Sequence, residues 1–158
     1  MDALTRSKIV HLLDTHRIMT LATLRPDGWP QATTVGYVNE GLSIFFLCGA
    51  DSQKAANLSR DDRVSLTIND DTSQIMAIMG LSMAAHAHPV IVPGEVTKFL
   101  HLLAQRYPEQ PAMPALPDPQ AVRVFRVIPT LISVLDYTKG FGHTDLAACQ
   151  ADDLLATR

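Results

Sequence analysis

Apolar residues recur at helical spacing in three parts of the chain. In residues 2–15 they stand three and four positions apart with polar residues between them, as in a short amphipathic helix. A second helix is expected after a small-residue bend, and a third starts at Pro93 and ends before Pro108. The predicted helices span residues 2–15, 52–60 and 93–107.

Elsewhere the apolar residues alternate with polar ones or form short runs bounded by turn residues, which predicts β-strands. Residues 25–28, Arg-Pro-Asp-Gly, have the turn chemistry of a hairpin. Residues 74–92 would also suit a helix, but we favour a strand because the preceding segments form hairpins. Pro129 cannot donate to a ladder, so we expect it at a bulge or an edge. The six predicted strands are residues 17–24, 31–39, 42–48, 63–69, 74–92 and 122–135.

The length of 158 residues is that of one domain, so we expect residues 1–158 to share one core. The order of elements predicts a mainly β (α+β) fold built from antiparallel hairpins. Residues 1–16 contain the N-terminal helix, and residues 107–120 are proline-rich and predict an extended surface loop. The tail, residues 137–158, begins with glycines, hydroxyls and rings that suit a functional loop and then becomes a short helix or a frayed end.

Composition narrows the class of protein. Hydrophobic residues make up 47% and charged residues 18%, so part of the surface is expected to be buried in an oligomer. A formal charge of −3 without a basic run argues against nucleic acid as a partner. Cys48 and Cys149 fit no metal spacing and are expected to be free thiols. No leader or membrane span is visible, so we expect a cytoplasmic protein.

Residues 43–58 form the stretch with the clearest chemical potential. An apolar strand runs into the bend 49–52, and a helix begins at Ser52 with Lys54 in its first turn. Free backbone N–H groups at a helix start, together with a lysine, form a place for an anion such as phosphate. The alternative is that Ser52 only caps its helix and that Lys54 is a solvated surface residue.

The remaining candidate chemistry is sparse. The chain has no nucleophile elbow, Walker loop, HExxH motif or dinucleotide fingerprint, which leaves the catalytic residues unknown. His86 and His88 share a strand face and could ligate a metal or a haem iron, but no third ligand is near, so no metal is assigned. Cys48 is either redox-active or inert through burial.

Four segments together resemble the flavin-binding split-barrel proteins related to pyridoxamine 5′-phosphate oxidase. They are residues 20–38, 41–68, 79–90 and 122–146, in the order that the family shows. The resemblance implies a six-stranded antiparallel split β-barrel with flanking helices. It also implies a homodimer that holds FMN in two clefts at its interface and acts on a small-molecule substrate.

The resemblance also assigns cofactor-binding residues. One strand runs beside the flavin, the end of another strand meets it, a turn binds the phosphate, and one residue lies near a position that contacts the ring. Gly36 would then be small because the flat ring passes there, although a bulge also explains a strand glycine. The strand beside the flavin contributes Thr33, Thr34, Val35 and Gly36; the strand end contributes Leu47 and Cys48; the phosphate turn contributes Ser52, Gln53 and Lys54; and the residue near the ring position is Gln74.

The chain departs from the family at cationic positions. Thr33 and Gln53 stand where relatives carry arginines for the phosphate, and Val38 stands where they carry a substrate lysine. Oxidation of vitamin B6 is therefore not expected, and an FMN-dependent oxidoreductase with an unidentified substrate is the first hypothesis. The alternatives are a non-catalytic flavin carrier or redox sensor, a protein that uses the deazaflavin F420, and a haem-binding protein. The candidate haem ligands are His86, His88 and His143.

Overall fold

The computed structural model describes residues 1–110, 116, 118 and 120–154. The helices are α1 (Ala3–Thr15), α2 (Gln53–Arg60) and α3 (Pro93–Arg106). Short 3₁₀ turns are formed by Ile75–Ala77, Tyr137–Lys139 and Ala151–Leu154. The strands are β1 (Ile18–Leu24), β2 (Pro30–Gly36), β3 (Val38–Glu40), β4 (Ser43–Gly49), β5 (Arg63–Asn69), β6 (Met79–Pro89), β7 (Val122–Asp136) and β8 (Thr144–Ala148).

The strands form one antiparallel sheet whose two edges are joined by a single residue. The sheet order is β2-β1-β5-β6-β7-β4-β3, with β8 paired to β7. Tyr37 alone separates β2 from β3, although these strands stand at opposite ends of that order. A flat sheet could not satisfy this connection, so the sheet curls into a barrel.

Tyr37 is fixed at the closure point by two hydrogen bonds. Its backbone N–H donates to the carbonyl of Arg17 at 3.0 Å, and its hydroxyl donates to the carbonyl of Leu13 at 2.8 Å. The side chain is buried, and this burial raises the pKa of the phenol well above its ordinary value. The closure therefore ties the first strand and the end of α1 to the seam of the barrel.

Strand alternation fills the barrel. In β1 and β5 every second side chain is buried, and Phe46 stacks on Phe125 with ring centroids 5.3 Å apart. Helix α1 packs Ile9 and Leu13 against this core. Helix α3 covers a smaller apolar cluster on the outer face, made of Val38, Phe45, Phe99 and Val124. No helix in the described part of the chain is both long and apolar enough to cross a membrane.

The mainly β barrel with flanking helices is confirmed, and so are the three predicted helices. The preference for a strand over a helix after residue 74 is also correct, although β6 starts only at Met79. Pro129 lies at a bulge, where the register of β6 against β7 shifts after Ala84. Half of the proline-rich loop 107–120 lies outside the described residues, as do residues 155–158.

The predicted number of strands was wrong, since the described residues form a sheet of eight strands and not six. The segment 31–39 is divided at Tyr37, where the chain crosses from one edge of the sheet to the other. The predicted loop and frayed end also contain β8, which forms a hairpin with β7. Gly140 and Gly142 adopt positive φ in the connection, and only Ala147 of β8 is buried, so alternation gave little signal.

A buried carboxylate fastens α1 to the end of β7. Asp136 accepts hydrogen bonds from the Lys8 ammonium and from the Thr138 hydroxyl, the latter at 2.6 Å. The hydrogen bond from Lys8, followed by that from Thr138, lowers the pKa of Asp136 to about 2. The ionised carboxylate therefore stabilises the fold at every pH at which Asp136 would also be ionised in the unfolded chain.

Replacing Asp136 with Asn should lower the free energy of unfolding by about 2 kcal/mol at pH 7, because a charged hydrogen-bonding group is lost inside the structure. The difference from the parent protein should be complete above about pH 5 and disappear as the pH falls towards the folded-state pKa near 2. Urea unfolding at several pH values measures this. Asp145→Asn, in an exposed pair with Lys139, is the matched control, and an equal loss there would contradict the account.

Candidate functional site

The closure of the barrel creates a seam between β2 and β4. Val38 of β3 pairs with Phe45 of β4, and continuing that register past Tyr37 sets Gly36 opposite Leu47. The strands pass close to each other here, but no ladder joins β2 to β4 in the described structure. A cleft of about 210 Å³ opens at this point. This seam cleft is lined by Gly36, Tyr37, Leu47, Phe99, Leu103 and Tyr107.

The seam brings together most of the residues that the resemblance assigns. Thr33–Gly36 on β2 and Leu47 and Cys48 on β4 face each other across it, and α2 starts a few residues after β4. Leu47 packs with the apolar cluster under α3, whereas Cys48 turns towards the barrel core. Of these two residues, Leu47 is therefore the one that lines the cleft.

Lys54 is the unbalanced charge of this region. Its side chain is half-buried, with Nζ 6.0 Å from the centroid of the Phe46 ring. No carboxylate in the described part of the chain lies within ion-pair distance of Nζ, and burial lowers the pKa of the ammonium. A cation that is partly removed from water without a counter-charge favours an anionic ligand.

Ser52 caps α2, which was the alternative to an anion-binding role for this residue in the sequence. Its hydroxyl accepts a hydrogen bond from the N–H of Ala55 at 3.2 Å and donates to the carbonyl of Gly49 at 2.7 Å. Both of its local partners are thus within the protein, and its structural part is to shape the bend and start α2. The cationic part of the turn rests on Lys54.

A buried amide that the sequence analysis missed anchors α2 to the barrel. Asn57 is fully buried and donates to the Thr23 hydroxyl at 2.9 Å and to the Gln31 side-chain oxygen at 3.3 Å. Gln53 donates to the Asn57 side-chain oxygen at 2.9 Å. Gln53 and Asn57 are four residues apart and so share one helix face, which was the sequence signal for this contact. The contact places the Gln53 amide in a structural network.

Thr33 contributes a buried oxygen without a partner. Its Oγ1 has no access to solvent and no hydrogen-bond partner in the structure. In β2, Thr33 shares a face with Gln31 and Val35, between the anchor of α2 and the closure point. A buried hydroxyl that lacks a partner is rare in native proteins, so this atom has unused capacity for a ligand or a water molecule.

Gln74 is not brought to the same place within one chain. It lies exposed in the connection after Asn69, at the end of β5. The start of α2 lies beside the opposite end of the sheet, where Gly49 pairs with Val122. A site that includes both Lys54 and Gln74 would therefore need a second copy of the chain.

The candidate haem ligands lie elsewhere and have carboxylate partners. His86 and His88 stack on β6 with ring centroids 6.1 Å apart, and their Nδ1 atoms lie 2.9 and 3.6 Å from the two oxygens of Asp62. His143 Nε2 lies 3.0 Å from Asp145. Across the described ranges no group of three or more His, Cys, Asp or Glu residues is arranged to hold a metal ion.

Comparisons with known proteins agree on the kind of fold. The family model for pyridoxamine 5′-phosphate oxidase matches residues 5–136. A conserved hypothetical protein from Mycobacterium tuberculosis is similar in structure, with a TM-score of 0.72 and 24% identity over 96% of this chain and 94% of that one. No curated protein matches the chain.

Two further solved structures carry names that mention a cofactor. An F420 reductase has a TM-score of 0.61 and 26% identity, covering 78% of this chain and 94% of that one. HutZ, the haem storage protein from Vibrio cholerae, has a TM-score of 0.63 and 22% identity, covering 78% of this chain and 88% of that one. The fold is thus shared by proteins whose names refer to different cofactors.

The space around Gly36 gives a prediction about stability. A Cβ on Gly36 would lie 3.6 Å from the Tyr107 hydroxyl, which is ordinary contact, whereas a Cβ on Gly80 would lie 3.0 Å from the Ile68 carbonyl. Gly36→Ala should therefore leave stability unchanged or slightly higher. Gly80→Ala should cost about 1–3 kcal/mol through overpacking, as measured by urea unfolding. Equal losses for the two variants would show that the packing at Gly36 is tighter than described.

Proposed function

We propose that this chain, which belongs to the pyridoxamine 5′-phosphate oxidase family, binds FMN at the seam cleft and acts as a flavin-dependent oxidoreductase on a small molecule. The observation that carries the proposal is the half-buried Lys54 ammonium, which has no carboxylate partner among the described residues and stands in the first turn of α2 beside the seam. Lysine at a helix start suits a phosphate, and the apolar cleft at the seam suits a flat ring.

The residues of the seam fit the two ends of such a ligand. Lys54 and the first N–H groups of α2 would hold the phosphate. Gly36 and Leu47 would flank the ring, since both line the cleft and Gly36 brings no side chain into it. The Thr33 hydroxyl would supply one hydrogen bond from a buried position. The other assigned residues would then give the site its structural support; they are Thr34, Val35, Cys48, Ser52 and Gln53.

The chain contributes binding and orientation more than acid or base chemistry. A bound flavin supplies hydride or electron transfer by itself, whereas the protein controls its position and surroundings. Among the described residues the seam cleft is lined by aliphatic and aromatic side chains, of which Tyr37 and Tyr107 alone are titratable. We therefore expect the apolar walls to exclude water from the ring and to hold the substrate against it. Cys48 and Cys149, both unpaired, suit a reducing cytoplasm.

The second part of the proposal is a homodimer. Small side chains, all exposed except the half-buried Ala22, form two rows across β2, β1, β5 and β6, and a face without long side chains suits close packing of a second copy. A dimer would also give Gln74 a way to reach the partner's seam cleft. The rows are Ala32, Ala22, Ser65 and Ala84, and Thr34, Thr20, Thr67 and Ser82.

The visible spectrum of the purified protein, with mass identification of the bound molecule, tests the cofactor. A flavin spectrum with FMN supports the proposal, whereas a deazaflavin spectrum would assign F420. A Soret band after addition of haemin, lost on replacing His86, His88 or His143 with Ala, would replace the flavin proposal with haem binding. Turnover is tested by anaerobic reduction with a nicotinamide donor and reoxidation by an added acceptor, which a mere carrier would not catalyse.

Lys54→Met should weaken the binding of FMN at least tenfold, because a charge-assisted contact to phosphate is worth about 1.5–3 kcal/mol. Riboflavin, which lacks the phosphate, should bind this variant and the parent protein equally. Fluorescence titration measures both affinities. Lys139→Met is the control, since Lys139 pairs with Asp145 at an exposed site. Equal losses of FMN affinity for the two variants would remove Lys54 from the phosphate site.

Thr67→Arg should convert the dimer to a monomer, because a long cation would be placed at the centre of the small-residue face. The position is exposed in the single chain, so the fold should tolerate the change. Light scattering after size exclusion gives the molar mass. Lys98→Met, on the outer side of α3, is the control, and a parent protein that is already monomeric would contradict the proposal.

A further inference from the structure

Arg17 is an exposed residue beside the seam cleft, and its guanidinium has no carboxylate partner in the described part of the chain. Its guanidinium carbon is 5.4 Å from the centroid of the Tyr107 ring, which lines the cleft. Arg25, Arg63, Arg106 and Arg126 each have a carboxylate within 4.0 Å. No such partner of Arg17 occurs in residues 1–110, 116, 118 and 120–154.

The backbone around Arg17 is fixed from two directions. Its carbonyl accepts the N–H of Tyr37 at 3.0 Å and the hydroxyl of Tyr107 at 3.3 Å. The next residue, Ile18, pairs with Gly36. Arg17 therefore starts from a defined point at the closure of the barrel, and the Tyr107 ring gives its side chain a platform.

The position of the Tyr107 platform is itself fixed by the last turn of α3. Arg106 donates hydrogen bonds to the carbonyls of Leu13 and His16, at 3.3 and 2.9 Å, and also to Asp14 and Asn39. These contacts bind the end of α3 to the end of α1. Since Tyr107 follows Arg106 directly, its ring is held over Gly36 by a network that does not involve the cleft itself.

We propose that Arg17, supported by Tyr107, is a ring-side binding and specificity residue of the seam cleft. The inference rests on the proposed function and adds to it a second cationic point, separate from Lys54. A guanidinium presents planar N–H donors, which match the electron-rich carbonyl edge of a flavin or deazaflavin ring. The ligand class is thus a flat ring that is apolar on its faces and rich in acceptors along one edge.

This assignment also accounts for the family arginines that are missing at Thr33 and Gln53. Lys54 would supply a single side-chain cation at the phosphate, and Arg17 would add affinity at the ring. The structural alternative is that the Arg17–Tyr107 contact only helps to hold α3 on β1. The two roles differ in one respect, because a merely structural contact would change stability without changing the affinity for a ring.

Titration of FMN and riboflavin against a small set of variants tests the inference. Arg17→Gln should weaken both ligands by the same factor, about tenfold, because the residue acts on the ring that they share. Tyr107→Leu should do the same, and Tyr107→Phe, which keeps the ring, should lose at most a small part. Arg17→Lys should restore part of the affinity. Arg25→Gln, in the β1–β2 turn and paired with Asp27, is the control.

The outcomes distinguish a failure of the Arg17 inference from a failure of the flavin proposal on which it rests. If the parent protein binds FMN and riboflavin but Arg17→Gln binds both as tightly as the parent, Arg17 is structural and the inference is overturned. It is also overturned if Arg17→Gln weakens FMN alone, since Arg17 would then act on the phosphate. If the parent protein binds neither ligand, the flavin proposal itself fails. Thermal melting of each variant confirms that the compared proteins are folded.

Discussion

The structure depends on one topological constraint, which is that a single residue joins the two edges of the sheet. Because Tyr37 links β2 to β3, the sheet curls so that β2 comes to lie beside β4. Closure without a ladder leaves a seam, and the seam is where Gly36 and Leu47 come to face each other. The candidate site is therefore a direct result of how the barrel closes.

Around this seam some residues have a structural role, and their neighbours have a proposed binding role. Ser52 and Gln53 have partners within the protein, and Asn57 carries the contact of α2 with β1 and β2. Lys54 and Arg17 have no carboxylate partner in the described part of the chain, and the buried Thr33 hydroxyl has no hydrogen-bond partner there. Residues that are satisfied by the fold stabilise it, and those that are not have capacity left for a ligand.

Local features of the sequence predicted most of the elements. The alternation in residues 63–69, the turn at 25–28 and the cap at Ser52 each depend on near neighbours, and the structure confirms all three. The existence of β8 and the break at Tyr37 were not predictable in this way. Thr144–Ala148 buries only Ala147, and the break follows from closure between strands far apart in sequence.

The candidate site could be predicted only in part. The resemblance named residues on β2, β4 and α2, and the structure places them along one seam, but it leaves Gln74 at the other end of the barrel. Tyr107, Arg17 and Asn57 gave no motif, because their importance comes from packing between α3, β1 and α2. The two histidines of β6 were candidate ligands in the sequence, yet both lie beside Asp62, a contact that depends on the pairing of β5 with β6.

The most direct test of this account is a crystal structure of the protein grown with FMN. We expect the ring in the seam cleft, bordered by Gly36 and Leu47, and the phosphate at the first turn of α2 within ion-pair distance of Lys54. A ligand found elsewhere on the barrel, for example beside His86 and His88, with the seam closed by the protein's own side chains, would contradict it.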